Sequence, residues 1–179
     1  MLDKERTVFV LIDVQGKLAK IMHESEHMLN QLATLIRGLR LLDIPIIWLE
    51  QYPKGLGPTN EQITEHLSGL EPIPKMTFSA CGNDKFQETF KEIGRNQVLI
   101  AGIESHVCVY QTAMDLKEDG NEVQVVQDAV SSRTLENKKL GLKKMESFGI
   151  TLTSVEMALF ELMGTAEHPN FKEISKLIK

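Results

Sequence analysis

Cysteine is scarce in this sequence: Cys81 and Cys108 are the only two among 179 residues. Two thiols cannot build a disulfide framework, and such sparse usage fits a reducing, cytoplasmic setting in which a thiol stays free. Long apolar runs are missing too. None approaches the ~20 residues that a membrane-spanning helix needs, so no membrane partner is expected. The start, Met1-Leu2-Asp3-Lys4-Glu5-Arg6, is charged and lacks the basic-then-apolar order of an export signal. Positive charge is not in excess either. A formal net charge of −5 and a pI near 5.6 argue against a broad nucleic-acid footprint. The densest basic clusters, Lys138-Lys139 and Lys143-Lys144, read as the solvated face of a helix. There is no internal repeat, linker or low-complexity segment.

What is there is ordinary globular composition, 42% hydrophobic and 25% charged. It predicts one domain over residues 1–179, long enough to be stable without metal or disulfide staples. Strand-length apolar runs alternate with stretches of helical spacing, the pattern of a parallel sheet covered on both faces. The runs are 8–13, 45–49, a brief one ending near Lys75, 97–102, 122–126 and 150–153. Between them, residues 24–42 place Met28, Leu32, Leu35, Ile36, Leu39 and Leu42 on one helical face. Further helices are expected over about 60–68, 83–93, 105–118 and 135–148, with helical pieces closing the chain. Residues 51–58, rich in glycine and proline, read as a loop. The fold class is therefore α/β: a three-layer α/β/α Rossmann-like domain with a mainly parallel six-stranded sheet.

In such sheets the functional crevice lies at the carboxyl ends of the strands. Three polar groups fall there: Asp13, Lys75 and Cys108. Taken singly, Asp13 suits a cap or loop anchor, Lys75 a surface lysine and Cys108 a small buried hydrophobe. Together they supply what a nucleophilic thiol requires. A helix start and a nearby lysine each favour thiolate, so the Cys108 pKa is expected to fall. A carboxylate such as Asp13 can move the thiol proton, and N–H groups at the helix start can hold an oxyanion.

The segments Leu11-Ile12-Asp13-Val14-Gln15, Pro74-Lys75-Met76-Thr77-Phe78-Ser79 and Gly102-Ile103-Glu104-Ser105-His106-Val107-Cys108-Val109 resemble, in order and spacing, the three signature segments of the isochorismatase-like hydrolases. Asp128-Ala129-Val130-Ser131-Ser132-Arg133 resembles the family's turn after strand five. The resemblance implies a triad of Asp13 as general base and acid, Lys75 as thiolate stabiliser and Cys108 as nucleophile. It also implies a non-proline cis peptide between Ile103 and Glu104, with the N–H groups of Glu104 and Cys108 as the oxyanion hole. Within the family, 50–59 and the tail His168-Pro169-Asn170-Phe171-Lys172-Glu173-Ile174 look most like the short isochorismatase domain-containing proteins.

Two departures shape the expected reaction. The family's nicotinamidases carry a metal site with an Asp-x-His pair after strand two, whereas this chain has Gln51, Tyr52 and Pro53 and no histidine or aspartate in 50–65; no metal or other cofactor is carried over. The family's vinyl-ether-cleaving enzymes lack the nucleophilic cysteine, so its presence points to amide-like C–N hydrolysis. His106 stands where many members have aspartate. Gln15, Leu18, Tyr52, Phe78, His106 and Tyr110, each in or beside a signature segment, are candidate substrate contacts, although the aromatic ones and Leu18 fit core positions equally. The reading is a cysteine hydrolase for a small molecule. A non-catalytic interaction protein of the same fold and a nucleic-acid-processing protein are the rivals. The family usually assembles, and the apolar segment 155–163 suggests a homo-oligomer, or else an ordinary core helix.

Overall fold

The computed structural model describes residues 1–179. Six strands, β1 (Thr7–Ile12), β2 (Ile46–Gln51), β3 (Ile73–Lys75), β4 (Gln97–Ile103), β5 (Glu122–Ser131) and β6 (Thr151–Thr153), form one sheet in the order β3-β2-β1-β4-β5-β6. Every ladder is parallel. Every residue of β1 and β4 is buried, as expected for central strands covered on both faces. The order reverses between β1 and β4, and a crevice opens beyond the carboxyl ends of strands at such a switch point.

The helices are α1 (Gly16–Lys20), α2 (Ser25–Leu41), α3 (Pro53–Leu56), α4 (Glu61–Thr64), α5 (Asp84–Ile93), α6 (Cys108–Glu118), α7 (Leu135–Ser147), α8 (Val155–Met163) and α9 (Phe171–Ile178). On one side α2 packs on β5, α8 and α9, while α6 and α7 pack against β4, β5 and each other on the opposite side. Local chemistry sets several boundaries. The side chains of Asn83, Thr134 and Ser154 accept the N–H groups of Phe86, Asn137 and Met157 at the starts of α5, α7 and α8. Gly94 and Gly164 end α5 and α8 in the left-handed conformation.

Several expectations need adjustment. Segment 51–58 is not only a loop, since Pro53 opens the single-turn α3. The short α1 carries one buried residue, Ala19, in five, which is too little apolar periodicity to stand out. The helix carrying Cys108 starts at Cys108 itself, three residues later than expected. The apolar segment 155–163 is mostly core: Val155, Ala158, Leu159, Leu162 and Met163 are buried. Leu159 lies so close over Gly38 of α2 that any side chain there would run into it. Only Met157 and Phe160 remain exposed, so the helix's hydrophobicity is accounted for by packing within the chain. No helix is long and apolar enough to cross a membrane.

Candidate active site

Four strand ends converge at the switch point. Asp13 follows β1 and leaves the sheet through a positive φ of 53°. That conformation is uncommon outside glycine and tolerated best by Asn and Asp. The turn is held by Asp13 N–H on Leu49 O at 3.3 Å and Gln15 N–H on Asp13 O at 2.8 Å. Lys75 ends β3, Gln51 ends β2, and Cys108 opens α6 just beyond β4. Gly102, with φ +123°, lets β4 lie against β1, because a Cβ there would collide with the Ile12 carbonyl. The Ile103–Glu104 peptide is cis, as the family resemblance implied.

Asp13 and Lys75 are each only 2% exposed, and Cys108 is 7% exposed. Lys75 Nζ donates to Asp13 Oδ2 at 2.7 Å, to Gln51 Oε1 at 2.7 Å, and to the carbonyls of Phe78 and Thr77 at 3.1 and 3.2 Å. An ammonium has three protons for these four acceptors, so it is fully occupied. Asp13 Oδ1, by contrast, has no hydrogen-bond partner although it is buried. An unsatisfied buried carboxylate oxygen is costly and calls for an explanation. A thiol proton received during reaction supplies one.

Burial pushes Asp13 above the usual carboxylate range, against the charge and hydrogen bond of Lys75 and the nearby Cys108 thiol, which pull it down. The Cys108 thiol is pushed up to about 12, first by burial and next by the Asp13 charge; Lys75 opposes this and loses. The expected fall in the thiol pKa is therefore reversed. Lys75 acts in the anticipated direction, but its contacts are spent on Asp13, Gln51 and two carbonyls, and a buried anion beside a second carboxylate is disfavoured. At rest Cys108 is a protonated thiol close to the Asp13 side chain.

Glu104 N–H has no acceptor within the chain, and Cys108, as the first residue of α6, has no intrahelical acceptor for its own. Unpartnered N–H groups of this kind are what an oxyanion hole requires. The loop carrying them is pinned from β5 and beyond: Ser105 N–H donates to Ser131 O at 2.8 Å, His106 Nδ1 pairs with Ser132 Oγ at 2.9 Å, and Arg133 Nε reaches Glu104 Oε1 at 3.1 Å. Gly141 of α7 lies directly under the Ser105 carbonyl.

The remaining candidate contacts divide. Gln15 is fully buried and structural: its amide nitrogen donates to the Gln51 and Gly57 carbonyls at 3.0 and 2.7 Å, and its oxygen accepts Gln51 N–H at 2.6 Å. Both of its amide protons are taken by backbone carbonyls of the chain. Tyr110 is half-buried with Lys144 Nζ stacked 4.7 Å from its ring centre, and Leu18 packs on the core. Tyr52 and Phe78 are exposed, at 47% and 54%, beside exposed Met76, and they rim the Lys75 side of the site. The sequence reading passed over Gln51, and also Glu50, whose Oε1 takes both the N–H and hydroxyl of Thr59 at 2.7 Å. The signal was present, since two polar residues continue an apolar strand that a buried parallel sheet would normally end. No group of three His, Cys, Asp or Glu side chains stands together as a metal cage. Cavities of about 540 Å³ lie away from the three residues, one lined by Arg37, Arg40, His66 and Lys176 and the other by Lys17, Lys20 and Asn60.

Residues 7–157 match the Isochorismatase domain. The chain belongs to the isochorismatase family. Isochorismatase domain-containing protein 2 from Danio rerio is 39% identical over 178 residues, which is 99% of this chain and 89% of that protein. The structure of the MAR1 ribonuclease from Caenorhabditis elegans superposes with a TM-score of 0.92 at 39% identity, over 99% of this chain and 91% of that one. The YcaC gene product of Escherichia coli, described as an octameric hydrolase of unknown specificity, has a TM-score of 0.93 at 23% identity over 99% and 88%. That level of identity speaks for the fold alone. The three segments that resemble the family's signatures thus fall at the ends of β1, β3 and β4.

Proposed function

We propose that this isochorismatase-family chain is a cysteine hydrolase that cleaves a small amide-like substrate through a thioester. The observation that carries the reading is the split carboxylate of Asp13: one oxygen is bound to Lys75, the other is buried without a partner, and the group is near enough to Cys108 for its charge to raise the thiol. As sulfur attacks the carbonyl carbon, its proton passes to Asp13 Oδ1, and the new oxyanion is held by the Glu104 and Cys108 N–H groups. Collapse breaks the C–N bond, and Asp13 returns the proton to the leaving nitrogen. Water then attacks the thioester with Asp13 again taking a proton, the acid departs, and the thiol is restored. The raised proton affinity of Asp13 suits a group that must accept and release a proton in one cycle. Lys75 keeps that carboxylate ionised and aimed.

The test is a panel of small amides and esters offered to the wild type and to Cys108→Ala, with intact-mass detection of an acylated protein. Turnover and an adduct confined to the wild type are expected. Amide turnover that survives in Cys108→Ala overturns the mechanism, and an unacylated, inactive wild type favours an interaction protein. The panel includes single-stranded RNA, because the C. elegans relative is named a ribonuclease. RNA cleavage independent of Cys108 overturns the small-molecule reading. The exposed Tyr52, Met76 and Phe78 support self-assembly of this chain.

A further inference from the structure

The sheet order sets a problem for Lys75. It ends the edge strand β3, its carboxylate partner follows β1, and β2 lies between them. Two strand spacings are about 10 Å, so the Lys75 side chain has to cross over β2 to meet Asp13. Gln51 occupies the gap. It is the register partner of Lys75 across the β2–β3 ladder, and its Oε1 accepts Lys75 Nζ at 2.7 Å, as short as the bond to Asp13. Its Nε2 donates to Met76 O at 2.8 Å, fixing the backbone that supplies the Thr77 and Phe78 carbonyls to the same ammonium. Its own backbone is clamped on both sides by the buried amide of Gln15. The chain Gln15, Gln51, Lys75, Asp13 is continuous, each link 3.0 Å or shorter.

We propose that Gln51 is a positioning residue for the hydrolase reaction, acting only through Lys75. It carries the ammonium across β2 and keeps it on Asp13 Oδ2, which leaves Oδ1 as the proton-transfer oxygen. An amide suits the role. A carboxylate there would compete with Asp13 for the cation and face the Met76 carbonyl with no proton to give, and an apolar side chain would leave Lys75 with the loop carbonyls. This inference rests on the cysteine-hydrolase reading, and Lys75→Met separates the two.

The experiment uses the full chain and four proteins: wild type, Gln51→Met, Lys75→Met and the double variant. Methionine keeps the volume and removes the hydrogen bonds. The readouts are the rate of Cys108 alkylation by iodoacetamide from pH 7 to 10, the pH profile of turnover on any amide or ester found active, and thermal melting. In Gln51→Met, Lys75 drifts from Asp13. Alkylation of Cys108 slows about threefold for each pH unit that the thiol rises, after allowance for the greater nucleophilicity of a more basic thiolate. The acid limb of turnover moves to higher pH, because Asp13 loses the cation that opposes its burial. The double variant matches Lys75→Met within error, the signature of a residue acting through its partner. Unmoved profiles in Gln51→Met while Lys75→Met shifts them, or additive losses in the double variant, overturn the positioning role and leave the hydrolase reading intact. If neither single variant moves the thiol or turnover profile, both fail. The Gln51→Met profile decides alone if Lys75→Met does not fold.

Discussion

Replacing Asp13 with asparagine separates the two things its carboxylate does to Cys108. In the resting protein the Asp13 charge is the largest influence after burial in raising the thiol to about 12. Asparagine keeps an oxygen for Lys75 Nζ but removes the anion and leaves the lysine charge unopposed beside the sulfur. Neighbouring charges of this kind move a pKa by about 1–3 pH units, so the thiol should fall by that amount. At pH 8 the thiolate fraction then rises roughly 10- to 1,000-fold, and the lower basicity of the sulfur takes back nearly half of that gain on a logarithmic scale. The net expectation is alkylation by iodoacetamide about 3- to 40-fold faster than in the wild type. Turnover should move the other way, down by at least ~100-fold, because the proton carrier is gone. Cys81 is the internal control. Its thiol is raised to about 11 by burial and by Asp115 and Asp119, not by Asp13, so its labelling should not change. Breaking a buried ion pair costs about 3–5 kcal/mol, a melting loss of about 6–20 °C in a chain of this size, so folding is checked in parallel. Site-resolved peptide mass spectrometry reads both cysteines in one sample. If Cys108 in folded Asp13→Asn is alkylated no faster than in the wild type, Asp13 does not govern the thiol and the reasoning fails.

Stability should decline as pH rises past 9, because both thiols are raised from an ordinary value of 9.0, to about 11 for Cys81 and about 12 for Cys108. A raised folded pKa gives stability that is complete below the unfolded value and is lost as pH climbs toward the folded one. The slope is about 1.4 kcal/mol per pH unit per thiol, so Cys108→Ser should flatten the melting curve between pH 9 and 12; an unchanged slope refutes this. Lys75→Ala should move the Cys108 alkylation profile to higher pH and lower turnover by at least ~100-fold, since Asp13 then favours its protonated form. An unmoved profile in a folded variant makes Lys75 structural. Light scattering at micromolar concentration should find a homo-oligomer, and a monomer removes that claim.

The centre of the sheet was legible because β1 and β4 are buried on both faces and read as unbroken apolar runs, such as Val8 to Ile12, and α2 because its buried residues form a clear stripe. Short elements were not. The four-residue α3 and five-residue α1 are held by tertiary contacts such as Gly16 N–H on Pro58 O, which no local periodicity encodes. The three catalytic candidates were legible as polar residues at strand ends and through the family resemblance. Gln15 was legible only by its proximity to a signature aspartate; that its amide also ties β2 to the Gly57 turn comes from the tertiary fold. Gln51 was missed for a related reason. Its importance comes from a strand order that places it between Lys75 and Asp13, and strand order is not written in any one segment.

The direction of the Cys108 shift follows from weighing effects that sequence reasoning could name but not rank. A helix N-terminus is worth about 0.3–1 kcal/mol to an anion, or up to ~2 when partly buried. Desolvation of a buried ionisable group moves its pKa by up to 3–5 units, which is several times larger. Lys75 would have to supply the difference, yet its shortest bonds go to Asp13 and Gln51. What this arrangement stabilises at rest is the Asp13–Lys75 ion pair with a neutral thiol, so ionisation of sulfur has to accompany attack on the carbonyl. Under the proposed mechanism the cysteine stays unreactive toward passing electrophiles until a substrate places an oxygen on the Glu104 and Cys108 N–H groups. That sequence of events requires substrate-derived acylation of Cys108 to outpace alkylation by an equally small haloacetamide at neutral pH. An iodoacetamide reaction as fast as acylation by the best amide or ester substrate would mean that the thiolate is already formed, and Asp13 would then have no proton to take.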